Sequence, residues 1–274
     1  SFYLFHLIEP SKPFFNSFGA FLFSASNIRT VQVGHQQLLP NFYILLCFIS
    51  LFLIYKNYKE NSKKTKIFIL LFPIFSLFQL WSAFYNFYAL FLYNSLTFLF
   101  LLILKKKEFL FFLRKYFTTI LISFFIFFIF SFPYQVQGKK VIKEVGKRSW
   151  GEVKTMLPQY KSFVYTGREN YLYGRINGDK FFEDIKVKNE HRLSFGYFTT
   201  LFFIFSFLSL RKNFLILLNF LIFLSFILLT LYIPPNFSIW KIFYDHFPGA
   251  SALRAVTRLN LILLLPLSFT ISYS

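Results

Sequence analysis

Seven long apolar runs, at residues 42–55, 67–81, 84–104, 117–132, 195–210, 214–233 and 259–274, alternate with polar interruptions. A helix rises about 1.5 Å per residue, so about 20 apolar residues cross a bilayer core roughly 30 Å thick. The longer runs reach that length outright, and the shorter ones reach it with their Tyr, Trp, Ser and Asn flanks. A water-soluble domain of 274 residues has no interior able to hide so many uniformly apolar helices. The pattern predicts an all-α integral membrane protein, a polytopic bundle of about 7–9 transmembrane helices.

The charge distribution supports the same reading. Only 15% of residues are charged, against roughly 25% in soluble domains. The 46 Phe residues suit lipid, although Phe, Lys, Ile and Asn share AT-rich codons and genome composition contributes to the excess. A net charge of +19 in a soluble protein would point to nucleic acid. Here the cations cluster instead: Lys56, Lys59, Lys63, Lys64 and Lys66 fill one short loop, Lys105, Lys106, Lys107, Arg114 and Lys115 a second, and Arg211 and Lys212 a third. Short connectors loaded with Lys and Arg stay in the cytoplasm, so membrane orientation explains them and no nucleic-acid partner is expected. Cys47 is the single cysteine and lies inside an apolar run, which excludes an intrachain disulfide and a multi-cysteine metal site.

With the three basic loops placed inside, the seven runs cross alternately without conflict, around a tight turn at Ser82 and Ala83. Residues 26–38, 133–194 and 234–257 then face the extracytoplasmic side. The second of these carries 13 Lys and Arg residues, but at about 60 residues it reaches the length at which the charge rule weakens. We expect three parts: residues 1–133 and 195–274 as the two portions of the bundle, and 134–194 as a small extracytoplasmic α/β insertion. Within it, Ser149 and Glu152 have capping-box spacing, which predicts a short helix stopping before Pro158. Alternating Tyr, Phe and Leu at 161–165 and 170–176 predict short strands or extended segments, with turns at Gly167, Gly174 and Gly178. Residues 234–247, with Trp240, Phe243, Tyr244 and Phe247, suit a short interfacial helix.

Candidate chemistry is sparse. The chain has no Gly-rich phosphate loop and no nucleophile elbow. Glu183-Asp184 and Glu190-His191 raise a divalent cation, but Lys180, Lys186, Lys188 and Arg192 beside them argue against one. Glu60 and Glu108 sit among the basic loops, where lysine pairing is the ordinary reading; Glu152 reads as a helix-cap partner, and Asp245 offsets Lys241. Gln79 and Asn94 lie within apolar runs, where bonding to neighbouring helices is expected. The runs from Phe42 onward hold no deep ionisable group, which counts against an ion-coupled transporter.

A family resemblance is carried by three stretches. Residues 18–27 place small residues in a membrane helix, followed by Gly34-His35-Gln36-Gln37 and Pro40 at the next helix. Gly146-Lys147-Arg148-Ser149 with Glu152 forms the second. The third is Phe247-Pro248-Gly249-Ala250-Ser251-Ala252-Leu253-Arg254 with Arg258. In this order they resemble bacterial GT-C-type membrane glycosyltransferases. The resemblance implies transfer of a sugar from a polyprenyl-phosphate donor to a glycan or lipid acceptor, on the outer face of the bacterial inner membrane. It places His35, Gln36, Arg254 and Arg258 at the lipid phosphate. Two guanidiniums four residues apart share a helix face and can grip a phosphate; they can equally snorkel to headgroups. A neutral imidazole at His35 can bond sugar or phosphate, or simply nearby backbone. The family's catalytic carboxylate is expected in a first outer loop upstream of Ser1, since the sequence starts and stops within apolar stretches; no catalytic residue is named here, and a divalent cation remains open as cofactor. The alternative is a non-enzymatic membrane protein, a lipid or glycan flippase or a scaffold.

Overall fold

The computed structural model describes residues 1–30, 35, 38, 40–60, 62–175 and 179–274. Its helices are α1 (Phe2–Ile8), α2 (Pro13–Ala25), α3 (Asn27–Thr30), α4 (Phe42–Asn57), α5 (Ser62–Ser82), α6 (Phe84–Leu104), α7 (Lys106–Val145), α8 (Trp150–Thr155), α9 (Tyr197–Leu210), α10 (Phe214–Thr230), α11 (Trp240–His246) and α12 (Leu264–Tyr273). Four helical stretches are long and apolar enough to cross a membrane: Ser62–Ser82, Phe84–Leu104, Lys106–Glu144 and Val256–Tyr273. The apolar helices α4, α9 and α10 are shorter than 18 residues. The chain is therefore helical, with four candidate spans where the sequence predicted seven to nine.

These helices are apolar on nearly every side, as expected where lipid replaces water around a bundle. The turn at Ala83 falls where the sequence placed it, in extended conformation between α5 and α6. Helix α7 differs from expectation. It bends at Tyr116 (φ −112°, ψ 15°), runs through Pro133 and stops only at Gly146, whose φ of 81° ends it. A proline inside a membrane helix costs less than in water-soluble helices, because neighbouring groups re-satisfy the freed carbonyl. The boundary expected at 134 thus falls inside a helix.

The basic connectors gather at one end of the bundle. Lys59 and Lys105 both reach Glu108, at 3.7 and 3.2 Å. Lys115 donates to the Tyr58 carbonyl at 3.1 Å, and the Lys105 ammonium lies 5.1 Å from the Phe214 ring centre. At the opposite end, the three segments expected to share a side do meet. Asn170 Nδ2 donates to Asn27 Oδ1 at 3.0 Å, Tyr232 N–H to the Pro158 carbonyl at 2.7 Å, and Thr257 N–H to the Met156 carbonyl at 3.2 Å.

Between the ends, α2 lies against α12 at Gly19. A β-carbon there would meet Ser272 Oγ at 1.9 Å and the Ser268 carbonyl at 2.8 Å, so only glycine permits this approach. Small residues on facing helices are how membrane helices pack closely without a hydrophobic driving force.

The insertion corrects two expectations. Its described residues form no strand, but turns and one-turn 3-10 segments at Tyr160–Phe163, Asp179–Phe182 and Lys188–His191. At 170–173 the Asn170 side chain accepts from the Leu172 and Tyr173 amides, which folds the alternating stretch into a turn before it can find a strand partner. The paired strands are β1 (Tyr232–Ile233) and β2 (Phe237–Ser238), antiparallel and outside the insertion. Helix α8 forms as predicted, with Ser149 Oγ accepting from the Glu152 amide at 3.2 Å. Helix α11 also forms, but Trp240 is fully buried against Tyr88 and Phe243, so it is a packing residue and not an interfacial anchor.

Candidate functional site

The site lies at the insertion end, where three distant segments converge on Arg258. A helical turn begins at Val256 and feeds α12. From it, Arg258 Nε donates to Glu190 Oε2 at 3.0 Å and Nη2 to Glu190 Oε1 at 2.5 Å. Nη2 also lies 2.9 Å from His35 Nε2. Arginine only donates, so that ring nitrogen accepts, which assigns the proton of a neutral imidazole to Nδ1. Arg258 and Glu190 are buried, at 6% and 8% exposure. The guanidinium sits 5.7 Å from the Tyr85 ring centre, a cation–π contact strengthened by desolvation. The Tyr85 hydroxyl accepts from the amides of Arg254 and Ala255, at 3.0 and 3.2 Å, which fixes the chain just ahead of Arg258.

Each partner is held from behind. The Leu38 amide donates to the His35 carbonyl at 2.8 Å, and the Leu38 carbonyl accepts from Asn86 Nδ2 at 3.0 Å, so α6 positions the imidazole. Glu190 lies in the turn Lys188–His191, which follows Val187 in a left-handed conformation (φ 52°, ψ 51°). That conformation costs a β-branched residue roughly 1–2 kcal/mol. His191 locks the turn. Its Nε2–H donates to the Thr155 carbonyl at 3.1 Å, and its Nδ1 accepts from the Ser162 hydroxyl at 2.8 Å.

Burial opposes the charge on Glu190, but the hydrogen bonds and charge of Arg258, with the charge of Arg254, outweigh it and hold the carboxyl below its usual range. Burial pushes the His191 imidazole down, against the Thr155 bond and the Glu190 charge, and keeps it neutral.

The structure brings His35 and Arg258 together but separates the arginine pair. Arg254 precedes the helical turn and points to Glu152, with Nη1 and Oε1 3.7 Å apart. Its side chain is 42% exposed and that of His35 38%, so these two form the open rim over the buried Arg258–Glu190 pair. Gln36 lies outside the described residues. Sequence reasoning missed Glu190 as a partner and Tyr85 altogether. Glu190 is 68 residues from Arg258, and its only local signal was the adjacent histidine.

The residues present do not fit a divalent cation. Both Glu190 oxygens accept from Arg258, Asp184 binds Lys161 at 2.8 Å, and among the described residues no cluster of three His, Cys, Asp or Glu side chains forms. Asp245 pairs with Lys241 at 2.7 Å, as expected. No family model, no curated protein and no solved structure matches this chain.

Proposed function

We propose that this chain is a membrane core of the GT-C glycosyltransferase type, in which α4, α9 and α10 also span the bilayer and the insertion end faces the extracytoplasmic side. A polyprenyl-phosphate sugar approaches that end in the outer leaflet of the bacterial inner membrane. The exposed Arg254 guanidinium and the His35 ring bind its phosphate, and a glycan or lipid acceptor lies under the insertion. Transfer breaks the bond between the anomeric carbon and the phosphate oxygen as an acceptor hydroxyl bonds to that carbon. The lipid phosphate leaves with the bonding electron pair and takes up the proton that the acceptor hydroxyl releases, and Arg254 stabilises the charge that develops on it before that proton arrives. Arg258 is a positioning residue: its charge is neutralised by Glu190, and it holds His35 Nε2.

One observation carries the reading: His35 and Arg258, 223 residues apart, meet at the insertion end, where the Arg254 and His35 side chains stay partly exposed. A second reading, a non-enzymatic flippase or scaffold, is favoured by the Arg258–Glu190 pair, which also serves as a plain latch between insertion and bundle. Proteoliposomes containing a labelled polyprenyl-phosphate hexose and an acceptor extract separate the two. Arg254→Ala should lower sugar transfer about tenfold or more with the fold intact, since a charge-assisted phosphate contact is worth roughly 1.5–3 kcal/mol. Unchanged transfer removes the phosphate role, and transbilayer movement of the lipid without any transfer selects the second reading.

A further inference from the structure

Helix α7 opens with a segment, residues 106–115, that its bend at Tyr116 sets apart from the apolar run 117–132. Both ends of this segment lie at the level of the basic connectors. Its start follows directly on Lys105, the residue that caps α6. At its far end Lys115 donates to the Tyr58 and Lys59 carbonyls at 3.1 and 3.3 Å, and the Tyr116 hydroxyl to the Tyr58 carbonyl at 2.8 Å. Between them the Tyr58 hydroxyl donates to Glu108 at 2.8 Å. The segment therefore lies along the end of the bundle instead of crossing it, clamped to the connector that follows α4.

Its two faces differ. Phe109 stacks on Phe98 with ring centres 6.1 Å apart, and Phe112 packs against Tyr58 and Tyr116 at 6.2 and 5.3 Å. The other face carries Lys106, Lys107, Phe111, Arg114 and Lys115, all exposed. Lys107, Phe111 and Arg114, at i, i+4 and i+7, form one stripe about 10 Å long. Phe111 is 50% exposed, and the Lys115 ammonium lies 5.6 Å from its ring centre. Glu108, the one carboxylate on the segment, is occupied by Lys59 and Lys105. Among the described residues no carboxylate pairs with Lys106, Lys107 or Arg114.

Retention of a connector on the inner side needs only its charge. It needs neither a rigid frame nor an exposed aromatic ring amid the cations. An interfacial helix that meets anionic lipid uses both, with cations at phosphate depth and an apolar side chain against the glycerol and upper acyl groups. We propose that residues 106–115 form a docking surface for an anionic phospholipid of that leaflet, with one phosphate between Lys107 and Arg114 and the head of an acyl chain on Phe111. Both cationic side chains are long enough to converge on one phosphate across two turns, and Arg114 can hold two of its oxygens. The inference requires the chain to sit in a bilayer and makes no use of sugar transfer.

The test uses the full chain in nanodiscs of equimolar phosphatidylglycerol and phosphatidylcholine with identical chains. Native mass spectrometry counts the lipids that stay bound on release, and a diazirine near the top of a phosphatidylglycerol chain maps where they sit. The wild type should retain phosphatidylglycerol preferentially, with adducts at Phe111. Each cation at an anionic surface changes binding about fivefold. Lys107→Gln with Arg114→Gln should therefore cut the preference roughly twenty- to thirtyfold and remove the adducts. Lys139→Gln with Lys140→Gln, the same charge change at the insertion end, should leave both as they are. Equal retention of the two lipids, an unchanged preference in the Lys107/Arg114 variant, or an equal loss in the Lys139/Lys140 variant overturns the proposal. So does competition by glycerol phosphate at the concentration of the lipid, which would make the surface a site for a soluble phosphate.

Discussion

Arg258 and Glu190 behave as one unit, because neither charge is tolerable alone at 6% and 8% exposure. Removing one partner of a buried pair costs roughly 3–5 kcal/mol, whereas replacing both by apolar residues is often neutral. Arg258→Met should therefore strongly destabilise the insertion, and Arg258→Met with Glu190→Leu should recover most of the loss. Denaturant unfolding followed through Trp150 fluorescence measures both, and equal destabilisation by the single and double variants rejects the latch. Two buried groups contribute to the response to acid. The His191 pKa is lowered from 6.5, so below that value the unfolded chain takes a proton the folded one refuses, and stability falls as pH drops. Glu190 is lowered too, so its contribution is complete above the ordinary carboxylate range and is lost only as pH falls through its depressed folded value. Protection against hydrogen exchange at 160–192, after correction for the intrinsic pH dependence of the amide rate, should fall between pH 7 and 5, with an underlying slope of at most about 1.4 kcal/mol per pH unit from one proton. His191→Gln should flatten that first decline, and an unchanged slope would assign the effect elsewhere. His35 and Arg258 were legible from the sequence as polar residues at the edges of apolar runs. Their contact was not, since it depends on how α6 and the insertion pack around them.

Among the elements, the α2–α12 crossing is the most exacting. Gly19 faces the Ser268 backbone and the Ser272 side chain, and a methyl group there collides with both. Overpacking of this kind costs typically 1–3 kcal/mol, so Gly19→Ala should lower the melting temperature in detergent. Ser272→Ala alone should be mild, and its combination with Gly19→Ala should relieve only part of the strain, because the Ser268 carbonyl stays in place. A neutral Gly19→Ala would mean the helices do not approach so closely. The long helices were readable in the sequence because uniform apolarity over 20 residues has one backbone solution in lipid. The ends of elements were less so. Helix α7 continues past Pro133 because residues 134–144, rich in Gln, Lys and Glu, are good helix formers and no cap intervenes before Gly146. The expected strands of the insertion failed for the opposite reason: alternation favours a strand only when a partner edge exists, and Asn170 closes the stretch on itself first.

At the scale of the whole molecule, the basic connectors lie at one end and the insertion, with the Arg254 rim, at the other. The contacts between Lys59, Glu108, Lys105 and Phe214 tie the three connectors together, and Tyr171 at the tip of the insertion is 96% exposed. On the proposed reading, the positive-inside rule gives the direction across the bilayer, and a long translocated loop tolerates the cations of 134–194. Cys47 is fully buried and bonded toward Ser76, so it stays silent to a membrane-impermeant maleimide and need not be removed. Tyr171→Cys should label in intact cells, and Lys107→Cys only after the membrane is opened. Labelling of both in intact cells would mean the chain does not separate its two ends across a bilayer. Labelling in the reverse order would turn the Arg254 rim toward nucleotide-linked sugars in the cytoplasm and away from the outer-leaflet donor.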